Sequence, residues 1–235
     1  MNWTRLFFTI CIFLSAASSI DAQDWAMEAV ECERQVFEAD NPQAANEALI
    51  RKALCYRKMN DYSKASESLG RVRMYLMEPE ERNELLLNKA LCSAKAQNTE
   101  DALSCLEQII ASGTEVGEEL KSQLDELQNS RPAPKSEDKA MLLSMLPPLG
   151  HCYTENYKEG AVSLALNALA AGWTLWQCLE GCWISGLLGG GIALNYTYMG
   201  GIGESIALVG KYNDEQKLLF NEALLALICA HIPAE

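Results

Sequence analysis

The sequence predicts an all-α protein, in which a short solenoid of helical repeats is followed by a hydrophobic helical hairpin and a terminal amphipathic helix. Two observations carry this prediction. From residue 24 to residue 127, apolar residues recur at helical spacing in segments that repeat after 37 residues. The 52 residues from 159 to 210 then contain neither Lys nor Arg and hold eleven of the fifteen glycines.

The N-terminus has the layout of a secretory signal peptide. Arg5 precedes an apolar run, residues 6–14, and small residues lead to a suitable cleavage site after Ala22. An uncleaved anchor is the alternative. Because either outcome moves the following chain out of the cytoplasm, we expect an exported protein.

The chain is therefore divided by sequence into four parts. Pro132 and Pro134 mark a linker, because two prolines so close together stop a helix and stiffen the connection. The predicted parts are a signal peptide (1–22), helical repeats (23–129), the linker (130–136) and a hydrophobic hairpin region (137–235).

The formal charge of -13 argues against nucleic acid as a partner, because phosphate contacts require clustered Lys and Arg. The two histidines, His151 and His231, are too few for a multi-histidine metal site within one chain. The dipeptide His151-Cys152 has no orienting carboxylate evident in the sequence, so we interpret it as part of a turn. We expect no cofactor and no enzymatic activity.

The tetrapeptide Lys52-Ala53-Leu54-Cys55 recurs as Lys89-Ala90-Leu91-Cys92. The chain here resembles a tetratricopeptide repeat, in which a small residue on the first helix of each unit meets a small residue on the second. Ser93 departs from the pattern where an aromatic residue is expected, and Pro79 closes the first unit as the family's proline does. The resemblance implies that the repeat-packing residues are Ala53, Tyr56, Ala65, Leu69, Ala90, Ala102 and Leu106.

Helical repeats of this kind build concave surfaces for peptides or helices. The resemblance therefore implies that residues 23–129 bind or scaffold another protein. A spacer without a ligand of its own is the alternative.

Four cysteines of the repeats are candidates for disulfides in an exported protein. Counting from the small residues of each helix pairs Cys32 with Cys55, and Cys92 with Cys105. The alternative is that these small apolar side chains only fill the core.

Two apolar runs, residues 160–178 and 182–199, predict a membrane hairpin that turns near Glu180. Gly186 and Gly190 are four residues apart, a spacing that lets two helices approach closely in lipid. A buried hairpin of a soluble domain is the alternative. The helix expected after Gly210 can pack on the repeats or lie on the membrane.

Ahead of the hairpin, Pro147, Gly150 and Tyr153 form a Pro-x-x-Gly-x-x-Tyr pattern. This segment resembles a hydrophobic-hairpin region of uncharacterised bacterial envelope proteins, and the resemblance covers roughly residues 137–217. It implies an architecture, with no known chemistry. Together with the signal peptide it implies a place in the bacterial cell envelope, with the protein attached to a membrane and the repeats on the periplasmic side.

These features predict a non-catalytic membrane-associated envelope protein whose repeats bind or scaffold a protein partner. The alternative is a Gly-rich hairpin that forms a homo-oligomer and acts as a pore or transporter subunit. Polar side chains such as Asn167 and Asn195, if they faced a helix interface, would favour that alternative.

Overall fold

The computed structural model describes residues 23–232, so the predicted signal peptide lies outside the described residues. Helices joined by short turns account for this part of the chain, and it contains no strand. The predicted all-α class is therefore confirmed. The described residues form two compact units, one comprising 23–130 with 221–232 and the other comprising 131–220.

In the described residues, the first unit contains six helices and the end of a seventh. They follow one another through short turns, and one 3-10 turn at Met74–Leu76 separates the third from the fourth. The helices are α1 (23–38), α2 (Pro42–Lys58), α3 (Tyr62–Gly70), α4 (Pro79–Lys95), α5 (Thr99–Ala111) and α6 (Glu115–Ser130).

The second unit is built around a long helical hairpin. Two short helices, α7 (Glu137–Ser144) and α8 (Leu149–Tyr153), precede its first leg, α9 (Tyr157–Leu179). Its second leg is helical throughout and consists of α10 (Trp183–Ser185), a π-helical segment (Gly186–Gly190) and α11 (Gly191–His231).

The terminal amphipathic helix differs from its prediction, because it is the continuation of α11 rather than a separate helix after Gly210. Gly200, Gly201 and Gly210 lie within α11 without breaking it. A glycine inside a helix costs only about 1 kcal/mol relative to alanine, so surrounding contacts can retain the helix.

The predicted 37-residue repeat is present in the backbone turns. The side chains of Asp61 and Asn98 cap α3 and α5 by accepting from the backbone N–H three residues later. Each capping residue follows one in the left-handed region, Asn60 with φ 59° and Gln97 with φ 61°. The same capping chemistry therefore forms the turn between the two helices of each repeat, α2–α3 and α4–α5.

Small residues lie where the paired helices approach one another. Ala53, Ala65, Ala90 and Ala102 are at most 1% exposed. Because alanine side chains are small, the paired helices can approach closely and larger side chains from neighbouring helices fill the space between them. One buried cluster joins α2 and α3 to α4 and comprises Leu49, Ala53, Ala65, Leu69, Val72, Leu85 and Cys92.

Candidate interaction groove and hairpin seam

A groove of about 560 Å³ runs along the first unit between α2 and α4. Its floor is apolar and includes Ile50, Leu54, Leu76 and Met77. Leu54 is 43% exposed although it lies among core residues in sequence. The groove therefore offers accessible apolar surface between α2 and α4.

The rim of the groove is acidic. Glu47, Glu81 and Glu84 line it and are all exposed, whereas Arg57 is the one basic residue among the lining residues. The guanidinium of Arg57 donates a hydrogen bond of 3.1 Å to Asn88 Oδ1, so part of its donor capacity is already used. The rim favours a ligand that carries positive charge.

Among the predicted repeat-packing residues, the structure places Leu69 and Leu106 in the buried interior at 4% and 0% exposure. Tyr56 is partly buried and packs against the same cluster as Leu69. The ammonium groups of Lys52 and Lys64 lie 5.6 and 5.7 Å from the centre of its ring. The aromatic residue thus fills the layer and also holds two cations on its face.

Ser93, the departure from the repeat pattern, has a specific partner. Its hydroxyl lies 2.6 Å from that of Ser66 on α3, and Ser93 is 1% exposed. A hydrogen-bonded pair of small hydroxyls replaces the packing of an aromatic ring at this position.

Two buried asparagines, which the sequence analysis did not identify, each hold the loop that follows the second helix of a repeat. Asn46 forms two hydrogen bonds with the backbone of Arg73, in the loop after α3. Asn83 hydrogen-bonds the side chains of Ser112 and Thr114, in the loop after α5. The two asparagines are 37 residues apart, so their recurrence at the repeat spacing is the sequence signal by which both could have been found.

Glu33 joins α1 to the first repeat. Its carboxylate lies 2.7 Å from Lys52 Nζ on α2 and 3.0 Å from Arg71 Nη2 at the end of α3. The hydrogen bond from Arg71, and then that from Lys52, lowers the pKa of Glu33 below its usual range. The helix that precedes the first complete repeat is therefore docked by charge as well as by apolar contact.

The two legs of the hairpin face each other in a regular antiparallel register. Facing pairs are equidistant from residue 182: a Cβ added to Gly201 would lie 2.7 Å from Ser163 Oγ, and Thr197 donates to Asn167 Oδ1 at 3.1 Å. At Gly190, an added Cβ would lie 2.9 Å from the Cα of Thr174. Small and polar side chains thus form the contact, which we call the hairpin seam.

At Gly186, an added Cβ would lie 3.1 Å from Cys178 Sγ. The turn falls between Leu179 and Trp183, and Gly181 adopts φ 80° within it.

Asn167 is satisfied within one chain. Its amide donates to the backbone of Ser163 at 2.8 Å and accepts from Thr197, while Asn195 is exposed. The pore alternative was favoured by Asn167 and Asn195 both lying at a helix interface. Only Asn167 does so, and its hydrogen-bond partners belong to the same hairpin.

The outer surface of the hairpin is apolar. Within the described residues, Tyr157–Leu179 is the one helix long and apolar enough to cross a membrane, and 11% of its most apolar window is buried. Between residues 162 and 199, the large exposed apolar residues of the two legs are Val162, Leu164, Leu166, Leu169, Trp173, Leu175, Trp176, Leu179, Trp183, Ile184, Leu187, Leu188, Ile192, Tyr196 and Met199.

At the base of the hairpin, the predicted turn residues make close contacts within the second unit. Gly150 packs directly against the hydroxyls of Ser144 and Ser205, where an added Cβ would overlap Ser144 Oγ. The hydroxyl of Tyr153 accepts a hydrogen bond of 3.1 Å from the backbone of Ser136, and Pro147 is half-buried. These residues close the base rather than forming an isolated turn.

His151 has partners that the sequence did not reveal. Its Nδ1 lies 3.1 Å from Ser205 Oγ and its Nε2 lies 3.5 Å from Glu204 Oε2. A hydroxyl, an imidazole and a carboxylate are also the groups of a nucleophilic triad. Ser205 is 0% exposed and its hydroxyl donates to the backbone of Gly201, so a substrate has no access to the oxygen.

The end of the predicted linker is attached to the second unit. The backbone N–H and C=O of Lys135 both hydrogen-bond the side-chain amide of Asn213, each at 2.9 Å. The ammonium group of Lys135 lies 3.7 Å from the centre of the Tyr212 ring.

Paired helices, small residues between them and an accessible groove define the first unit as a helical-repeat module of the kind that binds proteins. Residues 47–73 match the family model of the tetratricopeptide repeat, so a tetratricopeptide-like repeat is present. No curated protein and no solved structure matches the chain. The resemblance of the C-terminal part to bacterial envelope proteins stays a prediction.

Proposed function

We propose that this protein is an exported, non-catalytic scaffold of the bacterial cell envelope. In this proposal the groove of the repeats holds a segment of a partner protein, and the hairpin keeps the scaffold at a membrane with its repeats on the periplasmic side. The observation that carries the proposal is the acidic rim above an apolar floor within a tetratricopeptide-like repeat.

The groove indicates the chemistry of the partner segment. Exposed side chains of Leu54 and Leu76 require an apolar stripe, and the carboxylates of Glu47 and Glu84 require Lys or Arg beside it. An amphipathic helix with one apolar and one basic face meets both requirements, because it presents its apolar residues on one stripe. Opposite charges on the rim contribute mainly to association rate and specificity.

The hairpin supports membrane attachment through its distribution of side chains. Small and polar residues line the seam, where Gly190 meets Thr174, while large apolar residues face outward. Helix pairs in lipid have this distribution, since lipid solvates the apolar exterior and small residues allow close packing. The 23 residues of α9 span roughly 34 Å, against about 30 Å for the hydrocarbon core of a bilayer.

Binding of a designed peptide tests the groove. The probe is a fluorescently labelled amphipathic helix of Leu and Lys, and its control carries Glu in place of Lys. We expect the full chain in detergent to bind the Lys peptide and not the Glu peptide, as measured by fluorescence anisotropy. Affinity should fall as salt is added, because exposed charges are screened.

Charge reversal on the rim provides the matched variants. Glu47→Lys with Glu84→Lys should weaken binding of the Lys peptide by about tenfold or more, since two attractions become repulsions. Asp125→Lys with Glu126→Lys makes the same change of net charge on exposed positions of α6 and should leave the affinity unchanged. Equal losses of affinity in the two double variants would show that only net charge matters and would refute binding of the peptide in the groove.

A further inference from the structure

The first helix lies against α2 in a defined antiparallel register. Glu33 pairs with Lys52 at 2.7 Å, and the guanidinium of Arg51 donates to Gln35 at 2.7 Å. Cys32 directly precedes Glu33, and Cys55 lies three residues beyond Lys52, which is one helical turn along the same face. This register brings Cys32 and Cys55 to the same level of the α1–α2 contact.

Both thiols are enclosed in that contact. Cys32 and Cys55 are each 3% exposed, and both are free thiols. Because the ion pair and the hydrogen bond fix α1 against α2 at this level, the burial of both side chains places both thiols in the α1–α2 contact.

We infer that Cys32 and Cys55 form a redox pair whose oxidation joins α1 covalently to the first repeat. The bridge would fix the helix that adjoins the predicted signal-peptide cleavage site, which otherwise is held by the ion pairs of Glu33 and by apolar packing. It closes a short loop, and a disulfide stabilises chiefly by restricting the unfolded chain.

The chemistry is thiol–disulfide exchange with a disulfide of the exporting compartment or with oxidised glutathione. One cysteine thiolate attacks a sulfur of the reagent and displaces one thiolate, which gives a mixed disulfide. The second cysteine then attacks the protein sulfur of that mixed disulfide and displaces the other half of the reagent. Two protein thiols are oxidised, one disulfide is reduced to two thiols, and the protons of the cysteines are taken up by the departing thiolates.

Burial determines when this reaction proceeds. Burial, and after it the nearby carboxylate of Glu28, raises the pKa of the Cys55 thiol to about 11. Thiolate is therefore scarce at neutral pH, and a reagent reaches the sulfur only when α1 separates from α2. We expect oxidation to be fast during refolding and slow in the folded reduced protein.

Refolding of the full chain from urea into detergent, with oxidised and reduced glutathione, tests the inference. After alkylation and trypsin digestion without reduction, mass spectrometry should find residues 53–57, which contain Cys55, linked to the peptide that ends at Arg34. Free Cys55, a glutathione adduct at Cys55, or a bridge from Cys55 to any other cysteine would overturn the inference.

A thermal measurement on the wild-type protein and two variants provides the control. A reducing agent should lower the unfolding midpoint of the oxidised wild type and have no effect on Cys55→Ser. The double variant Cys92→Ser with Cys105→Ser should still respond to the reducing agent as the wild type does. Because these measurements use purified protein, a failure would count against the cysteine pair and not against export or the groove.

Discussion

The side-chain amide of Asn221 on α11 donates a hydrogen bond of 2.8 Å to the backbone carbonyl oxygen of Ala94 at the end of α4. The hydroxyl of Thr99, in the first turn of α5, lies 3.3 Å from the Asn221 side-chain oxygen. Asn221 is 7% exposed, and Leu224 and Ile228 of the following turns are 0% exposed. Of the two alternatives for the C-terminal segment, the structure therefore shows packing on the repeats.

Replacement of Asn221 should destabilise the repeats. Asn221→Ala leaves the Ala94 carbonyl without its partner, and a buried polar group that loses its hydrogen bond costs about 1–3 kcal/mol. Urea unfolding followed by circular dichroism should show this loss. Asn195→Ala, at an exposed position of the same helix, should change stability by less than about 0.5 kcal/mol. Equal effects would show that Asn221 is not a structural contact.

Two neighbouring glycines of the hairpin should respond in opposite ways. Gly190→Ala places a Cβ 2.9 Å from the Cα of Thr174, so the legs must move apart, at a cost of about 1–3 kcal/mol. Gly189→Ala meets nothing within 4 Å and should be neutral or stabilising by about 0.5–1 kcal/mol, through helix propensity. Thermal unfolding in detergent measures the stability of both variants. If Gly190→Ala left the stability unchanged, the close contact of the two legs at the hairpin seam would be contradicted.

Docking of α1 should depend on pH through Glu33. Because its pKa is lowered in the folded state from an ordinary value of 4.5, the stabilisation is present above that value and is lost as pH falls through the lowered pKa. Glu33→Gln should cost about 1 kcal/mol near neutral pH, since the ion pairs are partly exposed. The difference from wild type should vanish in acid.

The control for Glu33 is Glu38→Gln on the same helix. Glu38 lies 3.8 Å from Arg34, and both side chains are more than half exposed, so its loss should have little effect at any pH. Urea midpoints of the two variants and the wild type across the pH range decide the point. A pH-independent cost for Glu33→Gln would mean that the ion pairs do not stabilise the docked helix.

Membrane attachment should survive treatments that release peripheral proteins. The outward-facing residues of the hairpin, such as Leu169 and Leu179, are 71% and 80% exposed and give lipid a continuous apolar surface. After lysis of the native host, the protein should remain in the membrane pellet through an alkaline carbonate wash. Lys in place of both Leu166 and Leu169, which are exposed near the middle of α9, should shift it to the soluble fraction, because a charge in the middle of the hydrocarbon costs several kcal/mol. Quantitative release of the wild type without detergent would contradict the proposal.

Much of the fold could be predicted from the sequence because its signals are local. Ala53 and Ala90 recur at the repeat spacing, and capping residues such as Asp61 and Asn98 mark helix starts by short-range chemistry. The continuity of α11 through Gly200 could not be predicted in this way. A glycine penalises a helix locally, and only tertiary contacts decide whether the penalty is overcome.

The candidate sites were less accessible to prediction because they depend on residues far apart in the chain. The contacts of His151 with Glu204 and Ser205 bridge more than fifty positions, and no spacing rule connects them. The acidic rim combines Glu47 of α2 with Glu84 of α4, and each alone has the appearance of a solvated charge. The pairing of Cys32 with Cys55 across the boundary between repeats could be hypothesised from the sequence, because the repeat spacing places the faces of neighbouring helices next to each other.

The central claim is that the groove holds a partner segment through its floor and its acidic rim. A photo-crosslinking residue at position Leu54 on the floor, introduced into the full chain in the native host, tests this most directly. We predict a specific protein adduct that Glu47→Lys with Glu84→Lys abolishes and that Asp125→Lys with Glu126→Lys retains. The same crosslinker at Phe37, which is 80% exposed and lies outside the groove, should not give that adduct. Absence of an adduct at Leu54, or an adduct that persists after reversal of the rim charges, would contradict the account.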